Sequence, residues 1–228
     1  MQVNADFSQR VRAHAADAEW ITSPTTGVER RLLDRLGGEV ARATSIVRYA
    51  PGSSFPEHVH EGGEEILVLD GVLSDEHGNY GPGTYLRNPP GTRHSPGSAL
   101  GCMILVKLWQ FIPYDDAPVR LDTAAQEWFA EDDQFPIKAV HLFKHRAESV
   151  NLERWAAGQE IVRAAPGGLE LLVIEGSLVE DGEEFVPLSW LRLPPGATLR
   201  AGVGPAGCTV WVKSGHLDPP AGLHFSEA

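Results

Sequence analysis

Short stretches in which apolar and polar residues alternate dominate this chain. Such alternation places successive side chains on opposite faces of an extended backbone and is typical of β-strands. The stretches are rich in β-branched and aromatic residues, and Gly, Pro, Asn or Asp bound them. They therefore predict an antiparallel all-β fold. In the first half of the chain they cover residues 40–49, 65–69, 83–87 and 102–107.

Helix is expected only in one place. Residues 123–129 lack strict alternation, and Asp122 stands where an N-cap would accept a backbone hydrogen bond. We therefore predict at most one short helix, in the segment that connects the two halves of the chain.

The chain contains an internal repeat. Residues 105 positions apart match without a gap, as Glu65 with Glu170, Gly71 with Gly176 and Arg87 with Arg192. The turn sequence Pro-Pro-Gly at 89–91 returns at 194–196, and GCMILVK at 101–107 returns as GCTVWVK at 207–213. Duplication of a unit of about 100 residues, the usual size of a small β domain, explains this most economically. We predict one domain at residues 1–115 and a linker with a second domain at 116–228.

Composition narrows the function classes. Acidic residues outnumber basic ones 31 to 19, for a formal net charge of −12, and no cluster of Lys and Arg offers a grip on phosphates. We expect no nucleic-acid partner. No apolar run is long enough to cross a membrane, and the N-terminus lacks a secretory core. With only Cys102 and Cys208, no disulfide framework is indicated, so a cytoplasmic protein is expected.

Four residues of the first repeat have the chemistry of metal ligands. His58 and His60 flank one residue, so a strand would place both imidazoles on the same face. Glu64 follows a Gly-Gly bend and opens the next strand, where its carboxylate can return beside the histidines. His94 comes after the turn at 89–91. Three imidazoles and one carboxylate suit one divalent transition metal such as Fe, Zn, Ni, Mn or Cu.

The spacing of these residues resembles the two-part signature of the cupin superfamily. The first part is matched by Gly52, His58, His60, Glu64 and Gly71, and the second by Gly83, Pro89, Gly91 and His94. Ser98 stands where the family often has Asn, which is not a ligand. The resemblance implies two tandem cupin barrels of the double-stranded β-helix or jelly-roll type, a bicupin, with a metal in the first barrel.

Within the superfamily the first repeat is similar to the cupin-like domain of ChrR anti-sigma factors. The stretches GVERRLLDRLGGEVARATSIVRYAPG, HVHEGGEEILVLDGVLSDEHGNY and YLRNPPGTRH carry this likeness. ChrR proteins add a helical zinc domain that holds a sigma factor through His and Cys ligands. No cysteine precedes Cys102 here, so binding of a sigma factor is not expected.

The second repeat lacks all four candidate ligands. Glu64 faces Leu169 and His94 faces Leu199, while the two histidines face Arg163 and Ala165, or Ala164 and Pro166 if the gap is placed later. Joint loss is expected for residues that share one metal. Glu65 persists as Glu170, so we assign it a structural role and assign Glu64 as the ligand. The second domain is predicted to be a degenerate barrel without a metal. A metal-free ligand pocket in that domain is the alternative.

The other histidines, the cysteines and several large side chains are assigned roles outside the metal site. We expect His77 at a hairpin tip, His141 and His145 in a solvated connector, and His14, His216 and His224 facing solvent. Cys102, Cys208 and four tryptophans (Trp109, Trp155, Trp190 and Trp211) are expected to fill cores, and Arg87 and Arg192 to be structural. The first cavity is expected to be lined by four residues, Tyr49, Phe55, Tyr85 and Met103.

Two functions from different classes fit these observations. The first is a metal-dependent dioxygenase that cleaves a small diketone or hydroxyaryl ketone bound at open metal positions, as the resemblance to cupin dioxygenases implies. The second is a non-enzymatic metal-containing sensor that responds to a small molecule or oxidant, as the ChrR likeness implies. Both need a small-molecule ligand, and a homodimer is the expected assembly.

Overall fold

The computed structural model describes residues 1–38, 40–132 and 135–217, and it is almost entirely β-structure. Helix in this part of the chain is confined to two single 3₁₀ turns, Ala15–Asp17 and Thr123–Ala125. The second turn lies inside the predicted helical segment, and Asp122 Oδ1 accepts a hydrogen bond from the backbone N–H of Ala124 at 2.9 Å. Within the described residues, no helix has the length and apolar character needed to cross a membrane.

The strands are numbered in chain order. Those before residue 123 are β1 (Val11–His14), β2 (Ile21–Thr22), β3 (Val28–Gly37), β4 (Ala41–Tyr49), β5 (Ser53–Ser54), β6 (His58–Val59), β7 (Glu64–Gly71), β8 (Leu73–Asp75), β9 (Gly78–Tyr80), β10 (Thr84–Asn88), β11 (Arg93–His94), β12 (Gly97–Ser98), β13 (Cys102–Leu108) and β14 (Val119–Asp122). Those after it are β15 (Phe129–Asp132), β16 (Phe135–His145), β17 (Glu148–Trp155), β18 (Glu160–Ala165), β19 (Leu169–Glu180), β20 (Glu183–Phe185), β21 (Ser189–Leu193) and β22 (Ala197–Ser214).

The described chain divides into two compact units. The first comprises Met1–Ala5 and Ala18–Ala125, and the second comprises Asp6–Asp17 and residues 126–217. Strand β1 belongs to the second unit because it pairs with β21, from Val11 opposite Arg192 to His14 opposite Ser189. The barrel boundaries expected from the sequence, 1–115 and 116–228, stay a prediction.

The first unit is built on a seven-stranded antiparallel sheet in the order β14-β10-β7-β13-β4-β3-β2. A four-stranded sheet, β5-β12-β8-β9, and the two-stranded pair β11-β6 complete it. Alternation along β7 sends Glu64, Ile66 and Val68 to one face of the large sheet. We call this the inner face, because it carries the apolar cluster that also receives Leu73 and Tyr80 from the four-stranded sheet.

The outer face of the same sheet holds a buried polar network. Glu65 accepts hydrogen bonds from the Tyr85 hydroxyl at 2.9 Å and from Arg87 Nη1 at 3.3 Å. Arg87 also pairs with Asp115 and lies over the ring of Phe111, with Cζ 4.2 Å from the ring centroid. Glu65 and Arg87 therefore have the structural surroundings that the repeat predicts.

Two residues expected to line the cavity lie elsewhere. Tyr85 is opposite Leu67 in the register and bonds Glu65, so it belongs to the outer face. Met103 is opposite Arg48, which alternates with the inner-face residues Val47 and Tyr49. The expectation failed for both, because a strand's own alternation does not say which of its two faces meets the core.

The second unit has a nine-stranded antiparallel sheet with the main order β1-β21-β19-β22-β17-β16-β15, while β18 pairs with β22 and β20 with β19. Its apolar core draws residues from β16 to β22 and includes Trp155, Leu169 and Leu199. The repeat is visible in one shared detail. Gly71 and Gly176 both have a positive φ, and a Cβ on either would lie about 2 Å from a carbonyl oxygen, that of Gly101 or of Gly207.

Candidate metal centre

The four side chains singled out by the sequence meet in the first unit. One ligand atom from each of His58, His60, Glu64 and His94 lies within 4.8 Å of all the others. His60, Glu64 and His94 are buried, and His58 is half-buried at the edge of the cluster. The three imidazole rings face one another at centroid separations of 5.0, 5.1 and 4.6 Å.

Local pairing brings the histidines together. Strands β6 and β11 are antiparallel, and His58 lies directly opposite His94 in their register. His60 follows two residues after His58, and its backbone is tied to the Pro-Pro-Gly turn. The N–H of His60 donates to the carbonyl of Thr92 at 2.9 Å, and the carbonyl of His60 accepts from the N–H of Gly91 at 2.9 Å.

The Gly62-Gly63 bend returns the chain so that Glu64 opens β7 beside these histidines. A Cβ on Gly62 would lie 2.2 Å from the Trp109 ring, and one on Gly63 would lie 2.3 Å from the Phe111 ring. Gly63 also has φ 77°, a backbone conformation that favours glycine. Only glycine therefore lets the bend pack under these two rings. Glu64 then lies opposite Asn88, whose Nδ2 donates to Glu64 Oε2 at 3.1 Å.

Each imidazole has an acceptor beside its Nδ1. The Nδ1 of His58 lies 3.0 Å from the Pro56 carbonyl oxygen, and that of His94 lies 3.3 Å from Asp75 Oδ2. The Nδ1 of His60 lies 2.9 Å from Thr92 Oγ1, whose own proton goes to the Pro89 carbonyl at 2.7 Å. Since each of these oxygens accepts, all three rings carry their proton on Nδ1. Their Nε2 atoms then present lone pairs.

The buried Nε2 atoms have no conventional partner among the described residues. The Nε2 atoms of His60 and His94 lie 3.1 and 3.2 Å from Glu64 Oε2, but neither makes a hydrogen bond of acceptable geometry. Burial raises the pKa of Glu64, but protons that His60 and His94 can carry on Nε2 lower it by more, so the carboxylate is ionised when positive charge lies beside it. Lone pairs and an ionised carboxylate that converge in a buried space form the kind of site that a cation completes.

The donor set fits a divalent first-row transition metal. Three neutral imidazole nitrogens and one carboxylate oxygen are ligands that such ions accept, and hydrogen bonds to the far nitrogens of the rings are usual in metal sites. The side chains form a cluster capable of holding a metal ion, while the identity of the ion is not specified by the donors. Ser98, at the family's Asn position, donates to the Val72 carbonyl at 2.6 Å, outside this cluster.

Sequence reasoning missed the residues that orient the ligands. Thr92, Asp75 and Asn88 each contact one ligand, and none of them belongs to the spacing signature. Asp75 also accepts from the Tyr80 hydroxyl and from the N–H of His77, both at 2.8 Å. Burial raises the pKa of Asp75, but the hydrogen bonds from His77, Tyr80 and His94 lower it by more. The pKa therefore lies below its ordinary value, and the carboxyl is ionised at neutral pH. A polar residue directly after the Pro-Pro-Gly turn was the only sequence signal for Thr92.

The remaining histidines lie outside the cluster. His77 is exposed in the β8–β9 turn, as expected. His141 and His145 lie on β16 and not in a connector, and His141 bonds Asn151 Oδ1 at 2.9 Å. His216 was expected in solvent, but its side chain is buried and its Nε2 lies 2.9 Å from Glu170 Oε1. His14 bonds Ser189 Oγ, and His224 lies outside the described residues.

Both cysteines are free and buried, as expected. Trp155, Trp190 and Trp211 are fully buried in the second unit, and Trp109 is half-buried over the Gly62-Gly63 bend.

The second unit fills the equivalent place with its own side chains. Arg163 lies opposite Leu199 in the register of β18 and β22, as His58 lies opposite His94, so the alignment with Arg163 and Ala165 is the correct one. Leu169, Leu199 and Ala165 are buried in the core. Arg163 forms two hydrogen bonds of 2.9 Å to the buried carboxylate of Glu153. Apolar packing and an internal ion pair thus stand where the first unit has its candidate ligands.

Solved structures share this fold. The chain is similar to a proposed dioxygenase from Nostoc punctiforme, with a TM-score of 0.77 and 18% identity over 97% of this chain and 88% of that one. It is similar to the Escherichia coli pirin YhhW in complex with nickel(II), with a TM-score of 0.65, 15% identity and coverage of 93% and 100%. It is also similar to Bacillus subtilis oxalate decarboxylase, with a TM-score of 0.62, 12% identity and coverage of 89% and 76%. No curated protein matches the sequence significantly.

Fold and site together define an all-β protein of the cupin type. Residues 8–112 match the ChrR cupin-like domain family. The first half of the chain therefore resembles the ChrR cupin domain, and the fold of the whole chain is of the cupin type.

Proposed function

We propose that this protein is a metal-dependent dioxygenase that binds one divalent transition metal through His58, His60, Glu64 and His94. Its substrate is a small diketone or hydroxyaryl ketone. The observation that carries the proposal is the convergence of three imidazoles and one carboxylate within 4.8 Å, with an oxygen beside each imidazole Nδ1. The fold likeness to a proposed dioxygenase supports the same class of reaction.

A bound ion would act as Lewis acid and template for a substrate that offers two oxygens. The protein's contribution is to fix the ligands. Thr92, Asp75 and the Pro56 carbonyl hold the imidazole rings, and Asn88 holds Glu64 Oε2. The apolar cluster on the inner face, with Phe55 packed against it, keeps bulk water away from one side.

The second unit is proposed to bind no metal. Its equivalent positions are occupied by Leu169, Leu199 and Ala165, and the buried Glu153 is already neutralised by Arg163. A cation placed there would find one carboxylate that is paired and no imidazole. One ion per chain is the expected stoichiometry.

A sensor of a small molecule or an oxidant is the second candidate. The match of residues 8–112 to the ChrR cupin-like domain favours it, because that likeness covers the unit that holds the ligand cluster. In this case the ion and the ligand residues are the same, but binding and not turnover is the output.

The test uses the full chain purified under metal-controlled conditions. The bound ion is identified by mass spectrometry, and oxygen consumption is then followed with a panel of β-diketones and hydroxyaryl ketones. We expect iron or a similar redox-active ion, turnover with at least one substrate, and loss of both metal and turnover in His94→Ala. The matched control is His77→Ala, which alters an exposed histidine outside the cluster. Tightly bound zinc without turnover of any panel member would contradict the enzyme proposal and favour the sensor.

A further inference from the structure

Two arginines begin on the inner face of β3. In the antiparallel pairing of β3 with β4, Val28 lies opposite Tyr49 and Arg30 lies opposite Val47, all on the face that carries the apolar cluster. After the irregularity between Leu32 and Asp34, Arg35 lies opposite Ala43. Ala43 is paired with Leu108, and Leu108 with Glu64. Arg30 and Arg35 therefore start from the same face as the carboxylate of the candidate metal centre.

Arg30 makes no ion pair with a carboxylate among the described residues. Its Nε is buried and has no hydrogen-bond partner among the residues that the structure describes. Arg87, the buried arginine of the outer face, instead pairs with two carboxylates. Burial lowers the pKa of Arg35, and the positive charge of Arg30 lowers it further, so the two cations are close enough to repel each other. A half-buried guanidinium in this position is stabilised by an anion.

Tyr49 supplies a neutral donor beside Arg30. The two residues are diagonal neighbours across the β3–β4 pair, and Tyr49 is only 8% exposed. Burial raises the pKa of the Tyr49 phenol, and the negative charge of Glu64 raises it further. The phenol is therefore protonated at neutral pH, and it lies within electrostatic range of the candidate metal centre.

We infer that Arg30 and Tyr49 form an anion-binding subsite on the inner wall of the first unit, which takes the carboxylate arm of a small oxygen-chelating substrate. The inference rests on the proposed function and narrows its substrate class from neutral ketones to keto acids. A guanidinium fork matches a planar carboxylate with two parallel hydrogen bonds, and a phenol can donate a third. The substrate's other two oxygens face His58, His60, Glu64 and His94.

The test compares three probes that share one chelating diketone group. They are acetylacetone, 4,6-dioxoheptanoate, which adds a carboxylate arm, and the methyl ester of 4,6-dioxoheptanoate, which keeps the arm without its charge. Binding to the full chain loaded with cobalt(II) is followed without oxygen by the visible absorption of the ion. Because this measures equilibrium binding, it does not depend on turnover.

We expect the wild-type protein to bind the acid at least about tenfold more tightly than the ester, the range of a charge-assisted hydrogen-bonded pair. Arg30→Gln should bring the two affinities within about twofold, and Tyr49→Phe should weaken the preference less. Both should bind acetylacetone as the wild type does. Arg31→Gln is the matched control, because Arg31 is adjacent in sequence but points to the other face, where it stacks on Trp20 at 4.2 Å.

Equal affinity of the wild-type protein for acid and ester would overturn the inference without any variant being needed. A preference that persists in Arg30→Gln would overturn the assignment of the subsite. The two proposals fail separately. A protein that prefers the acid but consumes no oxygen retains the subsite and loses the dioxygenase, whereas turnover of acid and ester at equal affinity retains the dioxygenase alone.

Discussion

The Thr92 hydroxyl lies 2.9 Å from Nδ1 of His60 and fixes the tautomer of that ring. It can do so because it donates its own proton to the Pro89 carbonyl at 2.7 Å and is left as an acceptor. A turn residue that never reaches the cluster thus decides which nitrogen of His60 is available to a metal.

Replacement of Thr92 by valine should weaken metal binding by about tenfold, as the loss of an outer hydrogen bond to a ligand histidine usually does. Valine keeps the shape of the side chain but cannot accept from Nδ1, so His60 can take the wrong tautomer. The affinity is measured by competition with a chromophoric chelator. Thr26→Val, in an exposed loop, is the control. Unchanged affinity in Thr92→Val would show that the bond does not orient the ring.

Glu64 and Glu65 should respond in opposite ways to conversion to glutamine. Glu64→Gln removes a ligand, so the protein should lose bound metal while the metal-free form stays folded. Glu65→Gln should retain metal but lose about 2–4 kcal/mol of stability, because it removes the charge of one of the two carboxylates that pair with the fully buried Arg87. Metal content by mass spectrometry and chemical unfolding separate the two effects. Retention of metal in Glu64→Gln would refute its assignment as a ligand.

Gly71→Ala should destabilise the protein more than Gly52→Ala. Both glycines have a positive φ, 68° and 76°, so alanine costs about 1 kcal/mol at either position. At Gly71 the new methyl group would also lie 2.1 Å from the Gly101 carbonyl oxygen, whereas no atom lies within 4 Å at Gly52. Unfolding in urea provides the comparison. Equal losses would mean that the backbone at Gly71 shifts without cost.

The two cysteine thiols should react slowly, and their reaction rate should rise at a higher pH than that of an exposed cysteine. Burial raises the pKa of Cys208 to about 12 and also raises that of Cys102. The thiolate is the reactive form, so a folded protein should show a rate that still rises with pH above 9, where an exposed cysteine has levelled off. A disulfide-exchange reagent with coloured product measures the rate, and the urea-unfolded chain is the control. Rapid labelling at pH 7 in the folded state would contradict the burial of both thiols.

Much of the fold and the candidate ligands could be predicted because both follow from local pattern. Period-two alternation and turn residues indicate strands, and the spacing from Gly52 to His94 contains the four ligands. The orienting residues could not be predicted, because they depend on which strands come together. Asp75 reaches His94 across 19 residues, and no alternation or spacing in the sequence marks that contact.

The pairing of neighbouring strands also determines which face of the sheet a side chain occupies, which the alternation along one strand does not. Tyr85 and Glu65 share the outer face because β10 lies opposite β7, and alternation along β10 alone fits either face. The membership of Asp6–Asp17 in the second unit escaped prediction for a different reason. This segment stands outside the stretches that the repeat aligns, so no internal comparison could assign it.

The Arg163–Glu153 pair gives the two units different dependence on their surroundings. In the second unit, the buried carboxylate of Glu153 is balanced by an arginine of the chain itself. In the first unit, a bound cation would balance the Glu64 carboxylate among the three imidazoles. Removal of metal should therefore lower the stability of the first unit and leave the stability of the second unit unchanged.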